Sequence, residues 1–456
     1  MRKDIYGNIV TTDSDDLLAG INDFINGFLS YTPEMTNILP AVSDDNDSCL
    51  ANAYAAFLWM FMEAPEGKEK AHIFALAAQN LKPGATRREG LIADMALSWV
   101  NGELKDVLET AHTILTDFPK DLATLKLAQY HAFNLGDSLS MLRFANMCET
   151  ANSDIAHMHS MSAFAYEQCH LLDKAEKSAQ KALQINPDDP WAHHALAHVF
   201  LTQGRIDEGI VFLRDVSSSW NGLNSFMYTH NWWHLGVFHI NRGEMVRALE
   251  IYDQHIWSQE KSYSQDQVGA VSFLARLEMA GVDVGNRWQE PAEYIAQRGL
   301  DLTLPFLSVQ YLLGLAKAGR DEAILLFNGI TKKSKSDELW RNSALPLSIG
   351  IFALVKKRYD KAAKYLGRAL IHIQEIGGSH AQRDLFEQLY LDALLKAGQM
   401  NTAQQLLEIR RSFDADNVPL NLELARVYRH TGLDKLAHEA ANRAQKRLLQ
   451  NKVSHG

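Results

Sequence analysis

A turn recurs every 34 residues along much of this chain, and that period constrains the fold more than any other feature. The turn positions are Gly102, Gly136, His170 and Gly204, each 34 residues after the last. They continue at Gly243, Gly281, Gly319, Lys357 and Gly398 with spacings of 38 to 41, and end at Gly432, 34 further on. Gly67 is read as the front of the series. An apolar-periodic helix precedes each turn, and a second helix follows it. A helix pair of this length cannot bury its apolar face alone, so neighbouring pairs must stack into one continuous core.

The clearest unit runs from Gln168 to Ile210. Ala175, Ala179 and Ala182 are small residues at helical spacing, which lets two helices approach closely. Asn186-Pro187 stops the second helix, because proline cannot continue it and biases the preceding residue away from helix. Asp189-Pro190 restarts the chain, with aspartate as N-cap and proline at the first helical position. Phe118-Pro119 leads into Asp121 in the same way. Ser14-Asp15-Asp16 opens a helix through about Tyr31, Thr32 to Ser48 is poorly patterned, strands are hard to find, and the terminal NKVSHG is expected to fray.

Thirty-four residues is the tetratricopeptide period, and the Leu-x-x-Asp-x-Ala and Ala-Leu-x-x-x-Pro patterns resemble that family's repeat. The predicted fold is therefore all-α: a right-handed superhelical solenoid of about eleven helix hairpins with extended middle repeats. The expected organisation is one solenoid over 1–456. It has an N-terminal cap region (1–60), regular repeats (61–240), longer repeats (241–400) and a C-terminal repeat and cap (401–456).

The resemblance implies that the first helix of each pair lines a concave groove. Counting back from the turns, His157, Ser160, Phe164, Glu167 and Gln168 face it from one unit. Trp191, His194 and His198 face it from the next, and His230 and Trp233 from the third. Ten of the 18 histidines lie between His157 and His255, with His230-Asn231-Trp232-Trp233-His234 a dense cluster. Trp232, His193 and His239 fall at core positions. A second cluster surrounds Gly377-Gly378-Ser379. Ser379 and Gln382 fit a capping box there, and a helix N-terminus bearing His380, Arg383 and Asp384 suits an anionic group. Arg383-Asp384 also reads as an ion pair bracing helices.

Three motifs resemble the tetratricopeptide repeat protein 38 family: residues 230–234, Gly-Val-Asp-Val-Gly-Asn-Arg-Trp at 281–288, and Gly-Gly-Ser-His-Ala-Gln-Arg-Asp at 377–384. Asp4-x-Tyr6-Gly7-Asn8 and the run from Trp191 to His198 fit as well. The resemblance covers essentially the whole chain. His170 in place of a turn glycine and the unit at Leu307 to Gln310, which lacks expected polar residues, depart from it. It implies the fold and no defined biochemical activity.

A formal net charge of −10 gives no attraction to phosphate backbones or anionic lipid. Nucleic acid and membrane are thus not expected partners. Three sparse cysteines and a polar N-terminus predict a reducing, cytoplasmic setting. No Gly-x-Ser-x-Gly elbow, phosphate loop or His-Glu-x-x-His is present. Histidine beside Glu167 or Asp384 offers an acid–base pair. His194 and His198, four apart, can place two imidazoles on one zinc ion, with His157 or His230 as a third. The reading adopted has no metal and no cofactor, and leaves catalysis open.

The function expected is a binding protein that holds a peptide segment or partner protein in a His/Trp-rich groove. The alternatives are a small polar or anionic ligand binder and a hydrolase-like enzyme using groove histidines. A homodimer is left open. The groove set is His157, Phe164, Glu167, Trp191, His194, His198, His230, Asn231, Trp233, His234, His380, Gln382, Arg383 and Asp384.

Overall fold

Capping chemistry sets the helix boundaries. Ser14, Asp121 and Asp189 accept the backbone N–H groups of Leu17, Thr124 and Ala192, and each opens a helix. The computed structural model describes residues 2–453. The last three residues of the NKVSHG segment lie outside them, and the helix before runs through Val453.

The described residues form two compact units, 2–196 with 219–227 and 197–218 with 228–453. The first begins with α1 (Asp15–Ser30), α2 (Ile38–Asp44), α3 (Cys49–Met60), α4 (Pro65–Leu81), α5 (Arg87–Asn101) and α6 (Leu104–Asp117). It continues with α7 (Leu122–Asn134), α8 (Ser138–Cys148), α9 (Ala156–Gln168) and α10 (Leu172–Ile185). Two helices run unbroken through the division, α11 (Pro190–Thr202) and α13 (Ser225–Arg242), with α12 (Ile206–Val216) between them. The second unit continues with α14 (Met245–Ile251), α15 (Ser264–Met279), α16 (Gln289–Gln297), α17 (Pro305–Lys317) and α18 (Glu322–Lys333). Then come α19 (Leu345–Val355), α20 (Tyr359–Leu370), α21 (His380–Lys396), α22 (Met400–Phe413), α23 (Val418–His430) and α24 (Asp434–Val453). These 24 helices make twelve successive pairs, an all-α repeat solenoid. The region expected as an N-terminal cap is itself a hairpin, which accounts for the extra pair.

All ten turn positions from Gly102 to Gly432 have positive φ, including His170 at 55° and Lys357 at 56°. An L side chain there costs of order 1 kcal/mol, so the repeat geometry overrides residue preference at those two turns. Gly67 is different. It lies inside α4, and the left-handed residue before that helix is Glu63, at φ 50°. A Cβ on Gly67 would sit 2.4 Å from the Trp59 carbonyl; this glycine serves a close approach and not a turn. Ala175, Ala179 and Ala182 are fully buried, as helix contact requires.

One small sheet exists among the described residues: β1 (Arg2–Lys3) pairs antiparallel with β2 (Ile9–Val10). Asp4 closes the ribbon by accepting the N–H groups of Tyr6 and Asn8. Buried Arg88 then fastens it to the first unit, 2.7 Å from Asp121, 3.5 Å from Asp4 and 3.3 Å from the Ile9 carbonyl.

The second unit closes on itself. Arg242 and Asn451 exchange two hydrogen bonds of 2.8 Å, Arg447 pairs with Asp207, and Gly204 lies against the Phe413 carbonyl. Inside this closure α21 packs back on α15. The longer middle spacings are taken up by short helical segments such as the π-helical extension of α14 over Tyr252–Ile256 and the 3-10 turn Ile373–Ile376, with no change of fold.

Candidate functional site

In the first unit the first helices of separate pairs bring an aromatic surface beside a polar chain. Trp191, partly exposed, stacks on His194 with ring centroids 4.4 Å apart and planes at 22°. Phe164 lies 4.7 Å from it and Tyr31, the left-handed residue ending α1, 5.2 Å. The Trp191–His194 contact follows from sequence. Positions 191 and 194 are one helical turn apart on α11, and Asp189-Pro190 fixes where that helix starts.

The polar chain is Ser30, His157 and Asp189. His157 Nε2 lies 3.3 Å from Ser30 Oγ, and Nδ1 lies 3.3 Å from Asp189 Oδ2. The other Asp189 oxygen accepts the N–H groups of Trp191 and Ala192, both at 3.0 Å. Burial pushes this carboxyl upward, but His157, the Ala192 N–H and Ser160 outweigh it and hold the acid below its usual range. His157 therefore meets Asp189, not Glu167. Glu167 is fully buried and accepts Gln168 Nε2 at 2.5 Å.

Lys126 donates to the Phe28 and Leu29 carbonyls at the end of α1, and its ammonium stands 3.4 Å from the Tyr31 ring centroid. Burial pushes its pKa well down. This lysine supports the surface and is not offered to a ligand.

In the second unit His198, His230 and His234 converge, with ring nitrogens within 4.8 Å of one another. His198 and His234 ring centroids are 4.6 Å apart, and those of His230 and His234 are 4.8 Å apart, edge to face. The three residues are at most 9% exposed. Burial, then repulsion from His198, lowers the His230 pKa to about 3, so this imidazole is neutral. Asn231 is fully buried, with neither amide atom hydrogen-bonded. His194, one turn earlier on α11, belongs to the first unit, where it stacks on Trp191.

Trp233 donates to Ser272 Oγ at 2.9 Å and is only 1% exposed, whereas Trp232 is half-buried and stacks flat on His255. That order of burial reverses the sequence expectation, because α15 covers the face on which Trp233 lies. Arg276 makes the link: its guanidinium sits 5.0 Å from the Trp233 ring and donates to the Ala381 carbonyl at 2.7 Å. Burial, partly countered by Asp384, brings this guanidinium down to about 10.

At the start of α21, Ser379 and Gln382 form the expected capping box. Arg383 donates to the Gly378 carbonyl and approaches His380 Nδ1 at 3.3 Å. Asp384 pairs with Arg410 at 2.5 Å, not with Arg383. Both side chains brace the unit from within. Sequence reasoning missed Ser30, Arg276 and the pairing of Asp189 with His157. The four-residue spacing of His230 and His234 was a visible signal for that pair.

A tetratricopeptide repeat family model matches residues 171–219. Among solved structures, the chain is similar to a monomeric IFIT1 mutant with Gppp-AAAA, at 14% identity and TM-score 0.42, covering 94% of this chain and 98% of that one. Human IFIT1 dimer with PPP-AAAA aligns at 13% identity and TM-score 0.41, covering 91% and 94%. A tetratricopeptide repeat protein from Parabacteroides merdae aligns at 15% identity and TM-score 0.38, covering 51% and 86%. The helix pairing, the left-handed turns and the matched repeat define the class: a solenoid of the tetratricopeptide-like superfamily, a fold typical of protein or peptide binding. No described helix is long and apolar enough to cross a membrane.

Proposed function

We propose that the protein binds a peptide segment on the first unit, with Trp191 as the anchor, and that it is a cytoplasmic member of the tetratricopeptide repeat protein 38 family. The observation that carries the binding reading is the partly exposed Trp191 ring, backed by His194, Phe164 and Tyr31, beside the Ser30–His157–Asp189 chain. A large aromatic ring gives apolar contact area at low entropic cost, and adjacent polar groups orient a peptide's amides. A carboxylate clamp does not fit, because Lys126 is already engaged with two carbonyls. The occupant is therefore an internal, neutral or weakly polar segment.

The same chain of side chains favours a second reading, hydrolysis with Ser30 as nucleophile and His157 as base. Ser30 ends α1, however, where the backbone presents carbonyls that oppose negative charge developing on its oxygen. Binding ranks first for that reason. A random dodecapeptide display selection tests it. Enrichment by wild type and loss with Trp191→Ala, with unchanged helix content, is expected. Equal enrichment by both proteins would refute the assignment, and labelling of Ser30 by a fluorophosphonate would favour the hydrolytic reading.

A further inference from the structure

We propose that His198, His230 and His234 bind one late first-row divalent cation, with Zn²⁺ the best chemical match. Two are an i, i+4 pair on α13, and the third comes from the second half of α11. Two separate helices thus aim imidazoles at one point. A lone buried histidine has an ordinary explanation. His193, for instance, is held by the Pro187 carbonyl at 2.8 Å and by Trp220 at 3.3 Å. Three mutually facing imidazoles from two helices also make the ligand set that a cation of this class takes.

The spacing suits a metal. Zinc–nitrogen bonds of about 2.0–2.1 Å in a tetrahedron place ligand nitrogens roughly 3.3 Å apart. The observed nitrogens lie within 4.8 Å, so side-chain rotation alone closes the gap. All three rings are at most 9% exposed, which gives a dry site where water competes poorly. An all-nitrogen set discriminates against Mg²⁺ and Ca²⁺, which demand oxygen, and favours Zn²⁺, Co²⁺, Ni²⁺ or Cu²⁺. Three ligands leave one tetrahedral position for water or a small ligand.

The test uses full-length protein stripped with a chelator, dialysed and titrated with Co²⁺. The expected result is one Co²⁺ per chain, the visible absorption of tetrahedral cobalt, and its loss on adding Zn²⁺. His230→Gln and His234→Gln should abolish the absorption while metal-free circular dichroism stays as in wild type. Substituting exposed His112 by Gln should leave it intact. Should the buried variants misfold, the paramagnetically shifted imidazole N–H resonances of cobalt-loaded wild type still count the ligands, and at least three are expected. No stoichiometric uptake by wild type, full retention by both folded variants, or fewer than three shifted imidazoles would each overturn the site.

Discussion

Asp189→Ala and Asp189→Asn separate two jobs that one buried carboxylate performs at the start of α11. One oxygen caps the helix through Trp191 and Ala192, and the other faces His157 at 3.3 Å. Alanine removes both. Losing an N-cap costs about 1 kcal/mol, and losing the buried polar contact with His157 about 1.5–3 kcal/mol more, the range for contacts to a charged group. Asparagine caps as well as aspartate, so it should lose only the second contribution. For a unit of this size, each kcal/mol lowers Tm by roughly 2–4 °C. Alanine should therefore cost of order 10 °C, and asparagine about 3 °C less.

The pH dependence has a definite sign. Asp189 has a depressed pKa, so its contribution is fully present above the unfolded value of about 3.9 and disappears as pH falls through the lower folded value. The gap between wild type and Asp189→Asn should hold from neutrality down to about pH 4 and close below it. Thermal melts followed by circular dichroism between pH 3 and 8 measure all of this. Equal melting of the two variants would refute the division between cap and charge. A gap that widened in acid would refute the depressed pKa.

Three further substitutions test the frame that positions the site. Arg88→Met strands the buried Asp121 and Asp4 carboxylates, and should cost about 3–5 kcal/mol in urea unfolding. Gly209→Ala would place a Cβ 2.6 Å from the Phe238 ring. It should lose about 1–3 kcal/mol to overpacking, visible as a lower denaturation midpoint. Ser379→Ala removes one half of the α21 capping box and should cost about 1 kcal/mol, with faster amide exchange confined to the first turn of that helix.

Local structure was largely legible in the sequence because repeat architecture is written in nearest-neighbour signals. The turn series from Gly102 onward, the Asp189-Pro190 restart and the Ser379/Gln382 box each depend on residues a few positions apart, and each appears in the fold as read. His170 was located by period alone, and it adopts the left-handed turn despite its side chain. The rest depends on contacts far apart in sequence. Arg242 meets Asn451 across 209 residues, and Ser30 meets His157 across 127. Small rotations summed over many repeats decide such meetings, and no local pattern records them. For the same reason Trp233 reads as an open inner-face residue yet lies beneath α15 and Arg276. The paired four-residue spacings of the histidines were visible, but their convergence needed the packing of two helices.

The most direct measurement of the binding claim is calorimetric titration of a selected dodecapeptide into wild type and Trp191→Ala. An aromatic anchor at the centre of a site is worth about 2 kcal/mol or more on truncation, roughly a thirty-fold loss of affinity. The account predicts that loss, with His112→Gln binding as wild type does. Affinity unchanged in Trp191→Ala would contradict it and move the binding surface away from the first unit.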